Sequence, residues 1–173
     1  IKSNNSIAFF CMNSCIFTNM HNRGIVILGV LLFFMLFVSM QSMNIPIKKM
    51  EWYQSIAQSS SDTVYVINFW ATWCIPCVQE LPSFDSITAK YNEQKVKVIL
   101  VSLDWKKNIQ KSVLPFLIKK NIKSHVVLLD EPDYNAWVDK VDKRWSGALP
   151  ATVIMLNKKH FYHFQEKETT FTE

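Results

Sequence analysis

The sequence predicts an α/β domain with a central mixed sheet flanked by helices, and three features support this prediction. Residues 64–70 and 96–103 are near-continuous runs of β-branched, aromatic and other apolar residues, as in strands buried on both faces of a sheet. Segments with helical spacing of apolar residues separate the strand-like runs. A hairpin is predicted from residues 152–156 and 161–164. Strands that alternate with helices and end in a hairpin are typical of an α/β sandwich.

Helices and turns fill the intervals between these strands. Apolar residues recur at helical spacing from Met50 to Ala57, which predicts a short amphipathic helix over residues 48–58 before a serine-rich loop. Pro82 lies within the next predicted helix, at residues 77–91, where it must kink the helix or interrupt its hydrogen bonding. The remaining predicted elements, in chain order, are a helix at residues 109–119, a strand at 125–129, a helix at 134–141 and the hairpin turn at 157–160.

The composition combines one apolar block with ordinary globular sequence. At 173 residues the chain suits one domain with a short extension. Its hydrophobic content of 49% is high, and the excess lies in residues 24–40. Lys2 and Arg23 are the two basic residues before Asn44, so the later sequence carries 17 of the 19 basic residues and all 14 acidic residues. These charges are dispersed, whereas nucleic-acid binding requires a basic cluster on one face, so the sequence argues against that function.

The apolar block has the layout of an export signal. Met20 is the expected start of translation, and we interpret residues 1–19 as upstream sequence that is untranslated or disordered. A short basic stretch ending at Arg23 precedes the apolar residues 24–40. Residues 20–43 therefore form either a cleaved signal peptide or an uncleaved membrane anchor. Because a basic flank stays in the cytoplasm, both alternatives predict a periplasmic or other extracytoplasmic domain, secreted or tethered to the inner membrane.

Residues 44–173 are predicted to form one domain. They contain no internal repeat or low-complexity tract. Thr170 and Glu173 have the spacing of a capping box, which predicts a helix that begins where the printed sequence stops, and the alternative is a frayed tail. Under the first alternative, the C-terminal helix of the domain is missing from the printed sequence.

The four cysteines form two pairs. Cys11 and Cys15 precede the apolar block, whereas Cys74 and Cys77 lie within the predicted domain. A Cys-x-x-Cys motif is half of a zinc site when two further ligands follow, but no second such pair and no His-x-x-x-His follows Cys77. We therefore expect no metal and no other cofactor.

The position of the second pair at the start of a predicted helix favours redox chemistry. A thiolate at that position faces unpaired backbone N–H groups and the positive end of the helix dipole, so it forms readily and attacks disulfides at neutral pH. Cys77 lies about one helical turn after Cys74, within reach for closing a disulfide and releasing the bound partner. The sequence thus predicts that Cys74 attacks and Cys77 resolves.

The residues around this motif resemble those of a known superfamily. Residues 69–77, Phe-Trp-Ala-Thr-Trp-Cys-Ile-Pro-Cys, are similar to the active-site signature of thioredoxins. Glu-Leu-Pro at residues 80–82 matches the Glu-x-Pro of the exported branch, which includes TlpA-like and ResA-like proteins. Gly-Ala-Leu-Pro-Ala-Thr at residues 147–152 looks like the loop whose cis-proline faces the disulfide. The resemblance covers about residues 52–164, and its two motifs lie far apart in the sequence yet should meet in the fold.

This resemblance implies a thioredoxin-like fold and an exported thiol–disulfide oxidoreductase whose only redox group is the cysteine pair. The implied reaction is reduction or isomerisation of disulfides in other proteins. The implied partners are disulfide-containing extracytoplasmic proteins, including apocytochromes, and a membrane protein that supplies electrons.

The resemblance also implies roles for particular residues. Pro150 is expected to be cis and to place the backbone of Leu149 against the disulfide, where an extended substrate pairs with it. Trp73 and Pro76 are expected to line a substrate groove together with Leu149. Asp104, after the second long strand, either lines this groove or only ends the strand.

Two departures from the thioredoxin pattern concern proton transfer and redox potential. Cytoplasmic thioredoxins usually carry a buried Asp at the position of Asn68, so Glu80 is the nearest acid that could tune the thiols. The alternative for Glu80 is a capping or solvated role. The Ile-Pro pair between the cysteines is neither the Gly-Pro of reducing thioredoxins nor the Pro-His of strong oxidants, so the direction of electron flow stays open.

Two other functions fit parts of the sequence. A thioredoxin-like adaptor would use the disulfide only structurally, but intact Cys74, Cys77 and Pro150 argue against it. A peroxiredoxin-like peroxidase shares the fold, but its signature is Thr-x-x-Cys, whereas here one residue separates Thr72 from Cys74.

Overall fold

The structure of the protein is a computed structural model, and it describes residues 44–169. The predictions for residues 1–19, residues 20–43 and the capping box at residues 170–173 lie outside the described residues, as do Cys11 and Cys15. Within the described part, we find no helix with the length and apolar character that crossing a membrane requires.

One mixed sheet organises residues 44–169. The strands are β1 (Ile47–Lys48), β2 (Val64–Trp70), β3 (Val96–Ser102), β4 (His125–Leu129), β5 (Ala151–Leu156) and β6 (Phe161–Gln165). The α-helices are α1 (Met50–Ala57), α2 (Ile75–Lys90), α3 (Leu114–Lys120) and α4 (Val138–Val141). The strand order is β1-β4-β3-β2-β5-β6, parallel from β1 to β2 and antiparallel at β5 and β6. The predicted mixed sheet and terminal hairpin are confirmed.

The two central strands set the position of the site. β2 and β3 pair in parallel along their whole length, from Val64 opposite Val96 to Trp70 opposite Ser102. The last five residues of each strand are buried, as their continuous apolar sequence predicts for strands covered on both faces. Because parallel strands end at the same edge of the sheet, the loops that follow Trp70 and Ser102 emerge side by side.

Helices cover both faces of the sheet and create two hydrophobic layers. On one face, α1 and α4 enclose an aromatic cluster in which the ring centroids of Phe69 and Trp145 lie 4.8 Å apart. On the other face, α2 and α3 pack Leu81 and Leu117 against Trp70, and all three side chains are almost fully buried. Each such side chain contributes roughly 1.5–3 kcal/mol through burial, so the sheet is held firmly from both sides.

The structure differs from the sequence predictions mainly at helix ends. α2 begins at Ile75, two residues before the predicted start, because Cys74 caps the helix and Pro76 occupies its first turn. The helix continues through Pro82, whose missing N–H deprives the Val78 carbonyl of its usual donor.

Two predicted helices are composite. A 3₁₀ turn at Lys106–Asn108 leads into the segment predicted as a helix at residues 109–119, which is a π-helical stretch at Ile109–Val113 followed by α3. Pro115 explains the irregular start, because it cannot donate a hydrogen bond back into the preceding turn. The segment at residues 134–141 is likewise a 3₁₀ turn followed by the single turn of α4.

Candidate active site

Cys74 and Cys77 form a disulfide at the start of α2, with their Cα atoms 5.3 Å apart. β2 ends at Trp70, and a short turn leads from it to Cys74. The backbone N–H of Cys77 donates a hydrogen bond to the Sγ of Cys74 at 3.3 Å, so the sulfur caps the helix. The first cysteine therefore occupies the helix N-terminus, where unpaired N–H groups favour a thiolate.

The two sulfurs differ in their access to solvent. Cys74 is 6% exposed and lines the groove over the disulfide, whereas Cys77 is completely buried. Cys77 packs among the apolar side chains of the layer beneath α2. A substrate that approaches from solvent meets Cys74 first, as the sequence analysis expects.

A groove of about 480 Å³ opens over the disulfide. It is lined by residues 73–76, residues 147–149 and Tyr134. The structure thus brings the three predicted groove residues, Trp73, Pro76 and Leu149, to one place. Trp73 is 63% exposed, and the rim of the groove is therefore apolar and open to solvent.

The loop before β5 forms the opposite wall of this groove. The peptide bond between Leu149 and Pro150 is cis, as the resemblance implies. Gly147 has a φ of 92°, a left-handed conformation that favours glycine. Within residues 44–169, the N–H and C=O groups of Leu149, which lines the groove, have no hydrogen-bond partner.

Glu80 lies at the centre of a buried polar network. Its side chain is only 2% exposed, so a solvated role for it is wrong. Its carboxylate accepts one hydrogen bond from Asn68 Nδ2 and one from the backbone N–H of Thr169, each at 2.7 Å. The Asn68 Nδ2 also donates to Thr152 Oγ1 at 3.1 Å, which connects the network to β5.

The chemistry of Glu80 follows from its burial. Loss of hydration raises the pKa of this carboxyl, and the two hydrogen bonds, which by themselves lower the pKa, offset only part of that effect. Glu80 lies three residues after Cys77 on α2, and positions with this spacing share one helix face. A carboxyl with a raised pKa thus lies one helical turn after the buried Cys77.

Asp104 anchors the turn that presents Cys74, a role that the sequence analysis missed. Its carboxylate accepts hydrogen bonds from the N–H of Thr72 at 3.0 Å and from the Thr72 hydroxyl at 2.6 Å. The hydroxyl of Ser102 donates to the same carboxylate at 2.9 Å. Asp104 neither lines the disulfide groove nor merely ends β3. The parallel pairing of β2 and β3 is the signal that could have indicated this contact, because it places their ends together.

Tyr134 is a second groove residue that sequence reasoning missed. It lies in a 3₁₀ turn between β4 and α4 and lines the groove beside Cys74. Burial raises the pKa of its hydroxyl, and the negative charge of Asp104 adds to this effect. Neither a motif nor a spacing rule connects it with the cysteines, which lie about 60 residues earlier in the sequence.

Together the fold and the site define a class of protein. A mixed sheet between two helical layers carries a Cys-x-x-Cys disulfide at a helix N-terminus, opposite a cis-proline loop. Among residues 44–169, no three His, Cys, Asp or Glu side chains are grouped so as to hold a metal ion. This is a thioredoxin-like domain with a dithiol site.

The chain belongs to the AhpC/TSA family, whose profile matches residues 44–161. Among curated proteins, it is 49% identical over 39 residues to the thiol-disulfide oxidoreductase ResA of Oceanobacillus iheyensis, a match that covers 22% of this chain and 20% of the relative. It is 28% identical over 96 residues to the thioredoxin-like protein YneN of Bacillus subtilis, covering 56% and 55%. It is 35% identical over 65 residues to the sporulation thiol-disulfide oxidoreductase A of Bacillus subtilis, covering 38% and 39%.

These matches confirm the resemblance to the thioredoxin superfamily and its ResA-like branch. The chain spans between about a fifth and about half of the length of the curated relatives named above. Among solved structures, a thioredoxin-related protein from Neisseria meningitidis serogroup B is similar with a TM-score of 0.52 at 22% identity, over 75% of this chain and 80% of the other. A secreted thiol-disulfide isomerase from Corynebacterium glutamicum gives 0.52 at 16% identity, over 64% and 65%. At these identities the structural matches show the thioredoxin-like fold alone.

Proposed function

We propose that this protein is an exported thiol–disulfide oxidoreductase that reduces or isomerises disulfides in extracytoplasmic proteins through Cys74 and Cys77. The observation that carries the proposal is the disulfide at the N-terminus of α2, with Cys74 in the groove and Cys77 buried behind it. The names of the ResA and sporulation relatives support the same type of reaction.

The first step is attack by Cys74 on a substrate disulfide. The N-terminus of α2 favours its thiolate, which displaces one substrate sulfur and forms a mixed disulfide with the other. The displaced substrate sulfur leaves as a thiolate and takes up a proton. Asp104 supports this step from a distance, because its hydrogen bonds to Thr72 fix the turn that presents Cys74.

The second step is resolution by Cys77. Its thiolate attacks the Sγ of Cys74 in the mixed disulfide, which re-forms the Cys74–Cys77 bond and releases the second substrate thiol. The dithiol thereby loses two electrons and two protons, and the substrate disulfide gains them. We assign Glu80, one helical turn after Cys77, as the acceptor for the proton of the resolving thiol, because burial raises the pKa of its carboxyl and so favours proton uptake.

Substrate binding is assigned to the groove. The free N–H and C=O of Leu149 offer a polypeptide in extended conformation two main-chain hydrogen bonds beside the disulfide. Trp73 and Pro76 supply apolar contacts on the opposite side. Together these contacts favour an unfolded or exposed segment of a protein as substrate, such as an apocytochrome.

The cellular location is inferred from the N-terminal sequence. Residues 24–40 are continuously apolar after Arg23, which supports export with the domain outside the cytoplasm. A reductase in that compartment needs a membrane protein that returns electrons to the Cys74–Cys77 disulfide. No bound cofactor enters this scheme, because the reduced Cys74–Cys77 dithiol itself carries the two electrons to the substrate disulfide.

The test is reduction of insulin disulfides by the purified full chain with dithiothreitol as electron source. Turnover above the uncatalysed rate is expected for the wild-type protein and is lost in the double variant Cys74→Ser, Cys77→Ser. Equal rates for the two proteins would favour the adaptor function. Thiol-dependent consumption of hydrogen peroxide without insulin reduction would favour the peroxidase.

A further inference from the structure

The carboxylate of Glu166 lies against the loop that precedes Pro150. Its Oε2 accepts a hydrogen bond from the N–H of Ser146 at 3.1 Å, and its Oε1 accepts one from the N–H of Ala148 at 2.9 Å. The hydroxyl of Ser146 donates to the same carboxylate. Three donors from one short loop thus converge on a single side chain, which stands one residue after β6.

This loop is held from two sides. The Ala148 N–H is bound by Glu166, and the Ala148 C=O accepts a hydrogen bond from the buried indole of Trp145 at 2.8 Å. Gly147, the residue before Ala148, takes a left-handed conformation and bends the chain. Leu149 follows directly, so the direction of its free N–H and C=O depends on how the Ala148 peptide is fixed.

The acceptor role requires an ionised carboxylate with both oxygens free of protons. Burial by itself raises the pKa of Glu166, but the hydrogen bonds from Ser146 and Ala148 outweigh it, and the pKa lies below the usual value of 4.5. Glu166 is therefore charged at the neutral pH at which disulfide exchange proceeds.

We infer that Glu166 is a positioning residue for polypeptide substrates, which holds the Leu149 backbone in the orientation that pairs with an extended chain. This inference rests on the proposed function. It predicts that loss of Glu166 affects two classes of substrate differently. A protein disulfide needs the main-chain contacts of Leu149, whereas a small disulfide reacts with Cys74 without them.

The kinetic test compares Glu166→Gln with the wild-type full chain on insulin and on hydroxyethyl disulfide. The amide keeps the shape of the side chain but has only one acceptor oxygen. At least one of the three loop donors therefore loses its acceptor. The ratio of kcat/KM for insulin to that for hydroxyethyl disulfide is expected to fall roughly tenfold, through a higher KM for insulin rather than a lower kcat. The matched control is Glu93→Gln, an exposed carboxylate in the turn after α2, which should leave this ratio as in the wild-type protein.

A structural readout accompanies the kinetics. Hydrogen exchange of the Ala148 amide should accelerate in Glu166→Gln and further in Glu166→Ala, because its acceptor is weakened and then removed. Ser146→Ala removes the hydroxyl that donates to Glu166, and with it a long 3.4 Å contact from the Ala148 N–H, but leaves the 2.9 Å bond from Ala148 to Glu166. Exchange of the Ala148 amide should therefore change less than in Glu166→Ala.

The outcomes distinguish the inference from the proposed function. An unchanged substrate ratio in an active Glu166→Gln variant overturns the positioning role, as does an equal loss with both substrates. A wild-type protein that reduces neither disulfide overturns the proposed function, and the positioning role falls with it. Slow Ala148 exchange in Glu166→Ala would show that the carboxylate does not hold the loop.

Discussion

The substitution Glu80→Gln removes the ionisable group of a buried side chain and keeps its shape. The wild-type carboxylate accepts hydrogen bonds from Asn68 and from the N–H of Thr169. The new amide keeps an oxygen for Thr169 and turns its NH₂ group toward Asn68. The Oδ1 of Asn68 is buried without a hydrogen-bond partner among residues 44–169, and a flip of the Asn68 amide brings this atom into position to accept, in exchange for the Nδ2 bond to Thr152 Oγ1. We therefore expect the variant to fold.

The magnitude of the effect follows from the raised pKa of Glu80. In the unfolded chain this carboxyl titrates near its usual value of 4.5, whereas burial raises its pKa in the folded protein. Between these two values the folded protein binds more protons than the unfolded chain, so the free energy of unfolding falls as pH rises. One proton gives a slope of up to about 1.4 kcal/mol per pH unit. Glu80→Gln removes this slope. The variant therefore gains stability relative to the wild-type protein as pH rises from 4.5 to the raised pKa of Glu80 in the folded protein.

The assay is urea unfolding of the oxidised proteins, because the cysteines do not titrate while the disulfide is intact. The difference in free energy of unfolding between Glu80→Gln and wild type is measured at pH values from about 4 to 8 and should grow in favour of the variant. Glu93→Gln is the control for loss of an exposed carboxylate. A difference that is independent of pH, or that grows in favour of the wild-type protein, would refute the conclusion that burial outweighs the hydrogen bonds at Glu80.

Two further predictions concern the cysteines and Asp104. Cys77→Ser should accumulate mixed disulfides with exported proteins on non-reducing gels, because Cys74 still attacks but nothing resolves the product, and the roles are reversed if Cys74→Ser traps them instead. Asp104→Ala should lower the free energy of unfolding by about 2–4 kcal/mol, since it leaves the half-buried donors of Thr72 and the buried hydroxyl of Ser102 without their acceptor. In urea titrations the exposed Asp139→Ala should change stability by less than about 0.5 kcal/mol, and equal effects of the two would remove the anchoring role of Asp104.

Strands and the redox pair were the features most accessible to sequence reasoning. The bounds of β2 and β4 agree with the predicted segments, because β-branched and aromatic residues in runs of this length have few other stable arrangements. The link between the cysteine motif and Pro150 came from resemblance to a family, and the structure brings the two motifs to one groove. β1 was missed because its two residues are too short for any periodic pattern.

The supporting contacts of the site were beyond the sequence. Asp104 and Glu166 hold the two loops of the groove through backbone N–H groups, and such donors exist at almost every residue, so no side-chain pattern identifies them. The network around Glu80 joins β2, α2, β5 and Thr169, elements whose proximity depends on the complete fold. Sequence reasoning named the reactive sulfurs, and the fold was needed to find what orients them.

The packing of Leu149 bears on how the substrate range of this protein could be altered by design. Leu149 contacts both hydrophobic layers, one on each face of the sheet. A library that varies position 149 would therefore lose many members to unfolding before their selectivity is tested. Trp73 and Pro76 line the same groove but are exposed and belong to neither layer. Selection for new substrates should begin at these two positions, because substitutions there change the surface of the groove without disturbing the hydrophobic core.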